Sequence, residues 1–314
     1  MAKKVIAVVG ATGQQGGGLV RAILADADSP FAVRALTRDP SSEKAKALTE
    51  QGVEVVAASL DDEESLVRAF DGVYGAFCVT NFWDHFSPER EGEQARNLAR
   101  AVGRASVRHV VWSTLEDTRL RVPLEDDRMP TLMGRYKVPH FDAKGEADQA
   151  FREAGVPVTF MRTTFYWDNM LYFGMQPRRG DDGVLTLVLP MGEARLSGVA
   201  AEDIGAVAYG IFREGPPAAE NTVGVAGEHL TGAEMAAKMS RALGEEVRYY
   251  AMPPADYRAL GFPGAEDLGN MFQYYTEFEA DFIADRPLER VRQLHAGLLD
   301  FDAWLAKYAS RIPV

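Results

Sequence analysis

The stretch Val5-Ile6-Ala7-Val8-Val9-Gly10-Ala11-Thr12-Gly13-Gln14-Gln15-Gly16-Gly17-Gly18-Leu19-Val20 decides the fold. Five apolar residues without a polar break predict a strand buried on both faces, as in a parallel sheet. Gly10, Gly13 and Gly16 follow at once, and Leu19, Val20, Ile23 and Leu24 then recur at helical spacing. A glycine turn between strand and helix is the arrangement that holds a dinucleotide pyrophosphate. Gly10 permits the tight turn, Gly13 lets the backbone approach the phosphates, and Gly16 allows close helix–strand packing. The amides of Thr12 through Gln15 then face the anion at the positive end of the helix. A glycine triplet alone is a weak signal, with a purely structural turn as the alternative; its placement here makes it specific.

Outward from this loop, further strands are expected at 32–37, 53–57, 75–80, 109–113 and 158–162. Helices are expected near 14–27, 41–51, 62–70, 88–105 and 140–154. Asp61-Asp62-Glu63-Glu64 supplies first-turn acids, and Ser87-Pro88 sets a proline in a helix's first turn. Such alternation implies βαβ units. It breaks at the aromatic run Phe165-Tyr166-Trp167-Asp168-Asn169-Met170-Leu171-Tyr172-Phe173, expected to be half lobe core and half pocket lining. The polar turn 178–183, a strand at 184–189 and a helix at 201–212 come next. Helices at 231–243, 265–278 and 300–309 and a strand at 247–251 complete the chain. The expected class is α/β: a doubly wound parallel sheet (Rossmann) with a smaller α+β C-terminal lobe. Residues 1–164 form the nucleotide-binding domain, helix 201–213 returns to it, and 165–314 make the lobe.

Among 314 residues, 46 acidic against 34 basic side chains give a net charge of −12, which argues against a nucleic-acid surface. No apolar run approaches the roughly 18 residues of a membrane span. The run at 5–9 ends in a glycine loop rather than a small-residue cleavage site, so it reads as a first strand, not a signal peptide. The single Cys78 leaves no internal disulfide and fits a reducing, cytoplasmic setting; mid-strand, it reads as a buried inert thiol. The five histidines lack metal-ligand spacing, and no metal is expected.

The second strand ends Leu36-Thr37-Arg38-Asp39-Pro40. An NAD-selective site puts an acid at the end of this strand to bind the ribose 2′-hydroxyl. Here Arg38 can pair with a 2′-phosphate and stack on adenine, with Ser41, Ser42 and Lys44 as further anion contacts, so NADP(H) is favoured. The alternative for Arg38 is an ordinary solvated loop arginine.

The spacing of the three glycines resembles that of atypical short-chain dehydrogenases. Members of that superfamily use Tyr-x-x-x-Lys, one helical turn apart, for proton transfer. Lys144 is present, but His140 stands four residues before it. Tyr136 lies beyond Pro139, which is expected to begin the helix and leave Tyr136 in a loop. Three readings stay open: His140 replaces the tyrosine as proton donor, Lys144 itself handles the proton, or chemistry is lost and Lys144 only holds ribose hydroxyls. A helix-start histidine bonding to backbone is the plain alternative for His140, and a simple surface lysine for Lys144. Ser113 and Thr114 end the fifth strand, where a polar pocket role is plausible.

The segments 8–17 (Val-Val-Gly-Ala-Thr-Gly-Gln-Gln-Gly-Gly), 36–40, 79–83 (Val-Thr-Asn-Phe-Trp), 140–146 (His-Phe-Asp-Ala-Lys-Gly-Glu), 155–159 and 260–272 (Leu-Gly-Phe-Pro-Gly-Ala-Glu-Asp-Leu-Gly-Asn-Met-Phe) resemble the NmrA-like family. The similarity is greatest to its human-type NADPH-sensor branch (HSCARG) and runs over nearly the whole chain. The resemblance implies phosphate contacts from Gly10, Ala11, Thr12, Gly13, Gln14 and Gln15. It implies 2′-phosphate and adenine contacts from Arg38, Asp39, Pro40, Ser41 and Ser42, with Ser59 and Leu60 bordering the adenine. Thr80, Asn81 and Phe82 would line the inner path and Lys144 would reach the nicotinamide ribose. Tyr166, Trp167, Asp168 and Asn169 would close over the nicotinamide half. Two positions depart: Ser59 stands where relatives often have Asp, and Glu93 where a relative can place a lysine beside the cofactor.

Two functions follow. One is an NADP(H)-binding redox sensor or regulator, read by a protein partner, in which the tyrosine is missing. The other is an NADPH-dependent reductase of a small apolar carbonyl, imine, quinone or azo substrate using Lys144, with Phe82, Trp83, Phe165, Tyr166 and Trp167 as pocket. A homodimer is among the assemblies left open.

Overall fold

In the computed structural model, which describes residues 2–314, the first half is built of six strands. They are β1 (Lys4–Val9), β2 (Phe31–Thr37), β3 (Glu54–Ala57), β4 (Gly75–Cys78), β5 (His109–Thr114) and β6 (Val158–Arg162). Between them run α1 (Gln14–Ala25), α2 (Glu43–Glu50), α3 (Glu63–Phe70), α4 (Pro88–Arg104) and α5 (Pro139–Glu153). Each lies within a residue or two of its expected place. The unbroken apolar run of β1 has its reason in the layers on either side. Ile6 and Val8 join a core with Leu19, Val20 and Ile23 of α1, while Ala7 and Val9 join one with Phe70 of α3 and Leu98 of α4.

Beyond β6 the chain forms β7 (Phe165–Tyr166), α6 (Asn169–Tyr172), β8 (Arg178–Arg179), β9 (Leu185–Leu189), β10 (Arg195–Val199), α7 (Ala201–Glu214), β11 (Asn221–Gly224), β12 (Glu228–Thr231), α8 (Gly232–Leu243) and β13 (Val247–Ala251). It ends with α9 (Pro254–Arg258), α10 (Ala265–Glu277), α11 (Glu279–Ala284), α12 (Leu288–Leu294) and α13 (Phe301–Tyr308). The main sheet is seven-stranded in the order β11-β6-β5-β4-β1-β2-β3. All its pairings are parallel. Strand order reverses between β1 and β4, and a crevice opens past the carboxyl ends of strands at such a point.

Two late segments return to this sheet. Helix α7 packs on α1 so closely that a Cβ on Gly205 would overlap the backbone of Gly18 and Leu19. Strand β11, for which no strand was expected, pairs with β6. Its four residues are too short and polar to stand out, and Gly224 is required because a Cβ there would strike the Asp285 carbonyl. The rest forms two three-stranded sheets, β12-β10-β7 and β13-β9-β8, around a third core that includes Trp167, Met239, Phe272, Tyr275, Phe301 and Trp304. Among the described residues no helix is long and apolar enough to cross a membrane.

Candidate functional site

At the end of β1 the backbone turns through Gly10 at φ +64°, a left-handed conformation that glycine adopts without strain. A Cβ on Gly16 would lie 2.5 Å from the Gly10 carbonyl oxygen and 2.6 Å from that of Val9, so helix and strand can approach this closely only at a glycine. No side chain caps α1, and its first turn holds no acid. The Gly17 N–H bonds to the Gly13 carbonyl at 3.0 Å, so the amides of Gln14, Gln15 and Gly16 precede the first intrahelical bond. These uncapped donors sit at a positive helix end with room for a close backbone approach. The residues present therefore fit a pyrophosphate.

Gln15 extends from this turn into a polar chain across the crevice. Ser113 donates to its Oε1 at 2.7 Å, and its Nε2 donates to the Tyr166 hydroxyl at 2.8 Å, which donates in turn to Thr163 Oγ1 at 3.2 Å. Burial pushes the Tyr166 phenol up to about 12, so it stays protonated. Thr114 faces the opposite side of β5 and donates to Asp148.

Past the end of β2, Arg38 is 78% exposed and lies 3.7 Å from Asp84. Ser41 and Asp39 are joined by two bonds of 2.8 and 2.5 Å, and the Ser41 hydroxyl holds the Asp39 carboxyl below its usual range. Ser42 caps α2 by accepting from the Ala45 N–H. Ser59 accepts from the Asp61 N–H, and the Leu60 carbonyl accepts from Asn97 Nδ2 at 2.8 Å. Asn81 Nδ2 donates to Asp84 Oδ1 at 2.6 Å.

Past β4 the arrangement is tighter. Lys144 Nζ donates to the Thr80 carbonyl at 3.0 Å and to Thr80 Oγ1 at 2.7 Å, and lies 2.9 Å from Glu91 Oε1. Two hydrogen bonds to Thr80 and an ion pair with Glu91 thus hold the ammonium. Thr80 Oγ1 donates to the same Glu91 oxygen at 2.6 Å, closing the triangle. Glu91 is fully buried; its Oε2 is unpartnered and faces His85 Nε2 at 3.5 Å. The His85 ring accepts from the Ser87 N–H through Nδ1, which leaves the proton of a neutral ring on Nε2.

His140, one turn before Lys144, has a different partner. Its ring Nδ1 pairs with Asp267 Oδ1, and its backbone N–H donates to Asp267 Oδ2 at 3.0 Å, so α5 is bound to α10 of the lobe. Phe82 and Trp83 pack on the His140 ring, and a Cβ on Gly264 would come within 2.9 Å of Trp83. Helix α5 begins at Pro139, and Tyr136 lies outside it, bridged to Leu132.

The aromatic run divides. Phe165 packs on Phe272, and Trp167 is buried against Phe301 and Trp304 in the lobe core. Asp168 Oδ2 accepts from the Ala201 N–H at the start of α7, and Asn169 opens the short helix α6. Cys78 is buried, which pushes its thiol up. Sequence reasoning did not single out Glu91, Asp84 or Asp267. For Glu91 a signal exists, since Glu91, Ala95 and Leu98 share one helical face and the latter two are apolar. Asp267 binds a residue 127 positions away, for which no local signal exists.

The NmrA-like family model matches residues 2–305. The NAD(P)H azoreductase of Xenophilus azovorans is 32% identical over 284 residues, covering 89% of each chain. An NmrA-like family domain-containing oxidoreductase, malD of Malbranchea aurantiaca, is 27% identical over 99% of this chain and 98% of its own. Among solved structures, the negative transcriptional regulator NmrA in complex with NADP superposes with a TM-score of 0.78. It shares 23% identity over 99% of this chain and 96% of that one, a likeness of fold.

Proposed function

Because the chain belongs to the NmrA-like family, we propose that it binds NADP(H) at the β1–α1 turn and serves as a cofactor-responsive regulator. The observation that carries this reading is the commitment of both proton-donor candidates. Lys144 is held by two hydrogen bonds to Thr80 and an ion pair with Glu91, and His140 is paired with Asp267. In this reading the amides of Gln14 to Gly16 receive the pyrophosphate, and Arg38 receives the 2′-phosphate. Gln15, held by Ser113 and Tyr166, gives the nicotinamide side a fixed polar floor. The cofactor, when bound in its reduced form, supplies a hydride. Regulation needs only that NADP(H) prefer one of two conformations, which a protein partner then reads.

The identity with the azoreductase favours a second reading, reduction of a small apolar carbonyl, imine, quinone or azo compound in which a Lys144 N–H supplies the proton. Fluorescence titration tests cofactor choice. NADPH should bind more tightly than NADH, and Arg38→Ala should reduce that advantage by about tenfold, the loss of one charge-assisted contact. Equal affinities in wild type and variant would overturn the NADP(H) assignment. NADPH oxidation with a panel of quinones and azo dyes separates the roles. Turnover abolished by Lys144→Ala would replace the regulator with the reductase.

A further inference from the structure

Asp84 stands beside the cation assigned to the 2′-phosphate and is oriented toward it. Its Oδ1 accepts from Asn81 Nδ2 at 2.6 Å, and its Oδ2 lies 3.7 Å from an Arg38 guanidinium nitrogen. The two serines expected to bind an anion here are occupied. Ser41 donates its hydroxyl to Asp39, and Ser42 donates to the Asp39 carbonyl at 2.9 Å while capping α2. The Asp39 carboxyl is held ionised by Ser41, which adds a second negative charge. An incoming 2′-phosphate therefore meets a guanidinium already partly neutralised, close to an acid that repels it. The 2′-hydroxyl of NADH carries no charge and meets no such repulsion.

We propose that Asp84 is a specificity-determining residue that limits the site's preference for a 2′-phosphorylated dinucleotide, so that NADP(H) and NAD(H) compete more evenly than Arg38 alone would allow. This inference rests on the NADP(H) reading of the same site. Arg38 is 78% and Asp84 50% exposed, so the effect is open to screening by salt.

The test is fluorescence titration of NADPH and NADH against wild type, Asp84→Asn, Arg38→Ala and the double variant. Asp84→Asn removes the charge and keeps an oxygen for the Asn81 amide. It should tighten NADPH binding about two- to fivefold, the range of an exposed charge pair, with NADH unchanged. The gain should vanish near 1 M salt, where the screening length is about 3 Å. It should also shrink in the Arg38→Ala background. An unchanged or lower NADPH-to-NADH preference in Asp84→Asn overturns the role of Asp84 while leaving cofactor binding intact. Failure of wild type to bind either nucleotide overturns the cofactor reading itself, and this inference with it.

Discussion

The ammonium of Lys144 lies 2.9 Å from Oε1 of Glu91, a carboxylate with no exposed surface, and the two share Thr80 as a common hydrogen-bond partner. Truncating one member of a buried ion pair leaves the other charged and unpaired, which costs about 3–5 kcal/mol, whereas replacing both by apolar groups is often nearly neutral. Glu91→Ala should therefore lose stability in that range, and Glu91→Met combined with Lys144→Met should recover most of the loss. Urea unfolding of the two single variants and the double variant checks this. Simply additive losses would show that the pair is not coupled.

Asp148 gives a pH dependence with a definite sign. It is buried beneath the sheet and accepts from Trp112 Nε1 at 2.8 Å and from Thr114 Oγ1 at 2.6 Å. Burial raises its carboxyl from 3.8 to about 6, against the lowering effect of these two donors. A group whose folded value is raised holds its proton in the native state after the unfolded chain has released it. The stabilisation is complete below the unfolded value near 4 and fades as pH rises to about 6. Over that window the slope is about 1.4 kcal/mol per pH unit. Asp142, raised to about 6 by burial, adds a slope of the same sign. Asp148→Asn keeps an acceptor for both donors without the charge. Its stability, followed by denaturant titration from pH 4 to 7, should lose the Asp148 part of this slope. A variant with the full wild-type slope would assign the effect elsewhere.

What the sequence disclosed divides along the same physical lines. The β1 run stood out because burial imposes a pattern on consecutive residues, whereas Val247–Ala251, of which only Val247 is buried, is rich in β-branched and aromatic residues. Helix α5 starts where Pro139 requires. β10 and β12 did not stand out: Arg-Leu-Ser-Gly-Val and Glu-His-Leu-Thr alternate poorly, and Gly198 is dictated by the Trp167 ring pressed on it. At the site, the glycine turn and Lys144 were legible because spacing defines them. The partners that decide what Lys144 and His140 are free to do were not. Glu91 is set apart from the other acids of its helix only by the face it shares with Ala95 and Leu98, and Asp267 meets its histidine only through the tertiary fold.

That last pairing joins α5 to α10, two helices far apart in the chain. One helical turn of α5 sends Lys144 to the end of β4 and His140 to the first turn of α10. Asp267 is only 5% exposed and accepts from both the ring and the backbone of His140, so losing its charge weakens two buried bonds at once. Asp267→Asn should lower stability by about 1–3 kcal/mol, the range for a buried polar group left poorly satisfied. The weakening should be local, because α10 follows directly on the loop 259–264, where Leu260 and Phe262 are already exposed. Under limited proteolysis, with fragments identified by mass spectrometry, cleavage in 259–264 should accelerate while β1–α1 stays protected. Under the regulator reading, NADPH should slow that cleavage in wild type and do so less in Asp267→Asn. Equal acceleration at sites throughout the chain would mean that the pair supports global stability rather than the docking of the lobe.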